Sequence, residues 1–70
     1  MKFVDFMIGA EFYTTDGKWI CIDKGDYHII AVPADDYDEY LTGDDWMVSK
    51  IVFDINDFTN CSEKNKWEIQ

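Results

Sequence analysis

A chain of 70 residues with 15 Asp or Glu, six Lys or Arg and one His has a formal charge of -9, which describes one small, strongly acidic domain. All six cations are lysines. They are too few against the carboxylates to neutralise a phosphate backbone or an anionic membrane face, so direct nucleic-acid and membrane contact are excluded as functions. A single core of this size commits most of its residues to stability, so a conventional enzyme with its own substrate cleft is not expected either.

Apolar residues at 47% and aromatics at 17% are too abundant for a disordered acidic tail. No apolar run approaches the roughly 20 residues that span a bilayer. Met1-Lys2-Phe3-Val4-Asp5-Phe6 carries an aspartate within its apolar stretch and no small-residue cleavage site follows. The expectation is a leaderless cytoplasmic protein, with Cys21 and Cys61 reduced rather than paired.

In chain order, Phe6, Ile8 and Phe12 around Gly9 suggest a strand that bends into a first hairpin. The β-favouring Phe12-Tyr13-Thr14-Thr15 runs into Asp16-Gly17, which predicts a two-residue type I′ turn with Thr15 opposite Lys18 and Tyr13 opposite Ile20. Lys18 to Asp23 is the return strand. A second turn at Lys24-Gly25-Asp26 leads to the apolar run from Tyr27 to Val32, which suggests a strand buried on both sides or near the core centre. Pro33 ends it and divides the chain into two unequal parts.

Residues 34–45 hold Asp35, Asp36, Asp38, Glu39, Asp44 and Asp45, with Tyr37, Tyr40 and Leu41 interleaved and Gly43 as a stop. The spacing of the apolar members, i, i+3 and i+4, fits one short helix, and an acidic loop is the alternative. Residues 46–54 alternate as a strand. Asn56-Asp57-Phe58 makes a turn or single helical turn, and residues 66–69 supply a short edge strand. The predicted class is mainly β: a small curved antiparallel sheet or SH3-like barrel of five or six short strands, with at most one short helix, in a single domain.

Ile8-Gly9-Ala10-Glu11-Phe12-Tyr13-Thr14, then Gly17-Lys18-Trp19-Ile20-Cys21-Ile22-Asp23-Lys24-Gly25, then Ile29-Ile30-Ala31, with Val52-Phe53-Asp54-Ile55-Asn56-Asp57 and Cys61 towards the end, resembles an uncharacterised family of small proteobacterial proteins. That family has a G-x-W-x-C-x-D-x-G core and a V-F-D-x-x-D motif. The likeness covers roughly positions 6 to 61 and implies one β-rich domain, without an activity. Family members often have Arg where this chain has Tyr27 and His28, and a less acidic middle segment.

Cys21, His28 and Cys61 provide ligand types for a tetrahedral zinc ion but lack paired C-x-x-C spacing, and two buried thiols with an ordinary histidine is the plainer account. A Cys–His nucleophile is disfavoured by the negative field, which raises a thiol pKa. Asp36 and Asp38 fit the first and third positions of an EF-hand loop, but Leu41 stands where its glycine belongs. Trp19, Trp46 and Trp67 are expected to fill core rather than form a ligand platform. No cofactor is called for.

The remaining feature is the negative charge, which exceeds what solubility requires. Spaced carboxylates flanked by amphipathic tyrosines suit a Lys- and Arg-lined groove, with long-range steering to speed association. The expected function is a non-enzymatic inhibitor or adaptor that binds the basic surface of a nucleic-acid-handling protein, as a DNA mimic of the anti-CRISPR type. In size and charge the chain is similar to small acidic proteins of phages and mobile elements. The expected partner is a CRISPR effector complex or another nucleic-acid-binding protein, and the chain itself a monomer or homodimer. Asp35, Asp36, Tyr37, Asp38, Glu39, Tyr40, Asp44 and Asp45 form the candidate contact surface. The alternative is a small metal-binding or housekeeping β-domain using Cys21, His28 and Cys61.

Overall fold

A computed structural model describes residues 1–43 and 48–64. Four strands, β1 (Glu11–Thr14), β2 (Gly17–Lys24), β3 (His28–Pro33) and β4 (Ile51–Asp54), form one antiparallel sheet in the order β1-β2-β3-β4. Two short helices, α1 (Tyr37–Leu41) and α2 (Ile55–Phe58), and 3-10 turns at Phe3–Asp5 and Ala34–Asp36 complete the described chain. The mainly β expectation holds as an open antiparallel sheet rather than a barrel, with four strands among the described residues where five or six were expected and two short helices where at most one was. α2 is the single helical turn expected at Asn56-Asp57-Phe58, and α1 lies in the acidic segment. The edge strand expected at residues 66–69 lies outside the described residues, as do the first two residues of the strand expected at 46–54.

The first hairpin differs from the expected one in register. Tyr13 pairs with Lys18 and Thr14 with Gly17, so Thr15 and Asp16 make the turn. A type I′ turn needs positive φ at both central residues, and the described residues with positive φ are glycines alone, Gly17 at +132° among them. The Asp-Gly signal therefore places its glycine just after the turn, where its missing Cβ relieves the strained backbone. Each β1 residue moves two places along β2, so every side chain keeps its expected face.

One face of the sheet carries the main core, in which Phe12, Cys21, Ile29, Ala31 and Phe53 pack with Phe6, Phe58 and Cys61. Phe6 meets Phe12 edge-on at 5.2 Å, Phe12 meets Phe53 edge-on at 5.3 Å, and Trp19 meets Phe53 at 5.3 Å. Such pairs add about 0.5–1.5 kcal/mol each beyond their buried area. Ile20 and its partner Val32 are buried on the opposite face, so the centre of β3 is covered on both sides, as its continuous apolar run predicts.

β2 does not keep strict alternation. Its register to β3 shifts between Cys21 and Asp23, leaving Ile22 as the extra residue of a bulge. Beyond it Asp23 pairs with Ile30 and Lys24 with Ile29, which turns Lys24 to the core face. Its ammonium donates to the Phe6 carbonyl at 2.8 Å and lies 4.4 Å from the centre of the Phe3 ring. The chain before β1 is thereby tied to the sheet as a 3-10 turn and loop rather than as the expected strand, with its bend at Gly9 (φ +91°).

The ends of the described chain close the β1 side. Tyr13 and Ser62 exchange both main-chain hydrogen bonds, at 2.7 and 2.9 Å. The Met1 amino group donates to the carbonyl of Phe58, the last residue of α2, and to that of Cys61 just beyond it, so a cationic donor meets the carboxyl end of the helix.

Candidate functional site

Local chemistry builds the acidic segment. Pro33 closes β3 and cannot continue a ladder, and the chain turns at Ala34–Asp36 directly into α1. Thr42 caps α1, its main-chain N–H reaching the Asp38 carbonyl and its hydroxyl donating to the Glu39 carbonyl at 2.9 Å. Gly43 ends it at φ +93°.

Of the predicted contact residues, Asp35, Asp38 and Glu39 are exposed, while Asp36, Tyr37 and Tyr40 are half-buried. The structure brings these six together on one continuous turn and helix. Asp44 and Asp45 lie outside the described residues. Tyr37 and Tyr40, one helical turn apart, stack with ring centres 6.3 Å apart and planes within 20°. The Lys50 ammonium sits 5.8 Å from the Tyr40 ring centre. Among the described residues no ion pair reaches Asp35, Asp36, Asp38 or Glu39, whereas Lys18 and Glu11 form one at 3.0 Å. Through that hydrogen bond and charge, Glu11 raises the Lys18 pKa above its ordinary value.

A cleft of about 430 Å³ adjoins the segment, between Asp16 to Lys18, where the hairpin turn enters β2, on one side and Pro33 to Asp35 on the other, with Trp19 in its wall. Trp19 is half-buried, and its indole N–H is held by the Thr14 hydroxyl at 2.9 Å. Asp16 and Asp35 thus reach the same depression from distant points in the chain. Sequence reasoning gave Asp16 only a turn role and did not place Trp19 beside the acidic segment. That placement follows from the pairing of Trp19 with Pro33.

The alternative metal centre is not assembled. Cys21 and Cys61 are free thiols buried in the core, His28 is exposed at the start of β3, and among the described residues no three His, Cys, Asp or Glu side chains come together as a metal site. Burial pushes both thiols above their ordinary pKa, partly offset at Cys21 by the Asp23 carbonyl it donates to and at Cys61 by the charged amino terminus. Neither is an activated nucleophile.

The two motifs have structural explanations. In Gly17 to Gly25, the glycine follows the hairpin turn, Trp19 and Cys21 face the core, and Asp23 follows the bulge. In Val52 to Asp57, the strand ends at Asp54, whose carboxylate accepts from Asn56 N at 2.9 Å while Asp54 N donates to the Asp57 carboxylate at 3.0 Å. This is a capping box that starts α2. No family model, curated protein or solved structure matches the chain. Among the described residues no helix is long and apolar enough to cross a membrane.

Proposed function

We propose that this chain is a non-enzymatic inhibitor or adaptor that binds the basic surface of a nucleic-acid-handling protein, offering carboxylates where that protein would hold phosphates. The carrying observation is that Asp35, Asp38 and Glu39 are exposed without an ion pair among the described residues, beside the stacked Tyr37 and Tyr40 rings, in a chain of charge -9. Exposed carboxylates without a partner lose little on meeting Lys or Arg, and the tyrosines supply amphipathic contact area. The neighbouring cleft is lined by Asp16, Asp35 and the Trp19 indole together with Lys18, which is paired to Glu11, and so offers two carboxylates and an aromatic face to the apolar stem and charged head of a Lys or Arg side chain. A CRISPR effector complex is the first partner of this class to test.

The test is binding to such a complex across a salt series, in competition with its DNA or guide RNA. Affinity is expected to fall steeply with salt and with added nucleic acid. The variant carrying Asp35→Asn, Asp36→Asn, Asp38→Asn and Glu39→Gln is expected to bind much more weakly at unchanged melting temperature. Undiminished binding by that variant overturns the proposal.

A further inference from the structure

The two edges of the sheet are unlike. Ser62 closes the β1 edge by pairing with Tyr13, whereas among the described residues no strand or bridge pairs with the outer edge of β4. That edge presents Ile51 at 40% and Val52 at 58% exposure. Natural sheets usually blunt a free edge with charge, proline or a bulge. Here apolar residues occupy its middle, with Lys50 before them and Asp54 at its end.

We infer that β4 pairs antiparallel with β4 of a second copy across a two-fold axis at Val52, joining two sheets into one of eight strands. A two-fold axis that brings identical antiparallel strands side by side must stand perpendicular to the sheet. Residues paired across it therefore lie on the same face, which admits only registers centred on a residue. Centred on Ile51, the register sets Lys50 against Val52. Centred on Phe53, it sets Val52 against Asp54. Centred on Val52, it sets Val52 against its own copy, Ile51 against Phe53, and Lys50 against Asp54 at both ends, so apolar groups meet apolar groups and opposite charges meet. Asp54 keeps its cap of α2, in which its carboxylate accepts from the main-chain N–H groups of Asn56 and Asp57, and Lys50 keeps its place beside the Tyr40 ring, so what favours the register is the sign of the facing charges and not a new hydrogen bond.

The contact is short and each copy carries -9, so this is a weak, reversible dimer opposed by long-range repulsion. Salt screens that repulsion, and self-association therefore rises with ionic strength. Partner binding under the proposed function falls with it, so each idea fails independently of the other.

Sedimentation equilibrium over a range of protein and salt concentrations is the first test. A monomer–dimer equilibrium strengthened by salt is expected, with Val52→Glu monomeric throughout and as heat-stable as the parent. Register is read by Val52→Cys. Opposed residues of an antiparallel pair have Cα atoms about 4.5–5.5 Å apart, within the span a disulfide bridges. Mild oxidation is expected to give a covalent dimer much faster than Val4→Cys, which is 74% exposed at the 3-10 turn before β1. A monomer under all conditions, or crosslinking of Val52→Cys no faster than of Val4→Cys, overturns the inference.

Discussion

Lys24 donates to the main-chain carbonyl of Phe6 at 2.8 Å across 18 residues of chain. Its ammonium also covers the Phe3 ring. The bond is charge-assisted and partly buried, and it fastens the segment before β1 to the sheet. Lys24→Met keeps much of the stem and removes the donor. The expected loss is about 1.5–3 kcal/mol, the range for a hydrogen bond to a charged group. Urea denaturation checks it, together with faster hydrogen exchange in residues 3–8.

Thr14 is the acceptor that holds Trp19 in the wall of the cleft. Its hydroxyl also receives Asp16 N at 3.1 Å. Thr14→Val preserves shape but leaves the indole N–H and the turn amide without that oxygen, and a loss of about 1–3 kcal/mol is expected. Thr14→Ser is expected to retain most of the stability. Thermal denaturation of the two variants separates lost hydrogen bonding from lost packing.

The buried thiols predict an alkaline limb of stability. Burial raises the Cys21 and Cys61 pKa values above the ordinary 9.0, so above that pH the unfolded chain releases protons that the folded chain retains. Stability from this source is complete below pH 9.0 and declines as pH rises through the folded values. Native protein is expected to react slowly with a thiol reagent at pH 8 and both cysteines to react rapidly in denaturant. Denaturation midpoints between pH 8 and 11 measure the decline, which Cys21→Ala reduces.

Gly25 lies against the imidazole of His28, so a Cβ there would overlap the ring. The ring is exposed and can rotate away, which makes the conflict mild. Gly25→Ala is expected to cost about 0.5–1.5 kcal/mol, the scale of an unfavourable rotamer, and to shift the His28 ring resonances. Adding His28→Ala is expected to recover the loss. A double-mutant cycle checks this coupling.

Much of the sheet was legible in the residues. The alternation in β1 and the first part of β2, the apolar run of β3 and the stop at Pro33 mark strands because side chains must alternate between faces and proline cannot donate to a ladder. The hairpin turn was misplaced by one residue, yet the facing of Phe12, Trp19 and Cys21 survived because alternation has period two. The acidic segment and its tyrosines were likewise visible, since i and i+3 spacing brings side chains together on any helix.

Tertiary structure decided what depends on distant backbone. The bulge at Ile22 turns Lys24 inward, and nothing in local alternation marks it. Pairing of Trp19 with Pro33 brings Asp16 beside Asp35. Closure of the β1 edge by Ser62 leaves β4 as the edge without a strand partner among the described residues. Local sequence determined which residues favour strand or turn, because propensity and side-chain period act over a few residues. Register and edge pairing were decided only when the whole chain closed around Phe6, Phe12 and Phe53, because close packing of those rings selects among ladders that are locally equivalent.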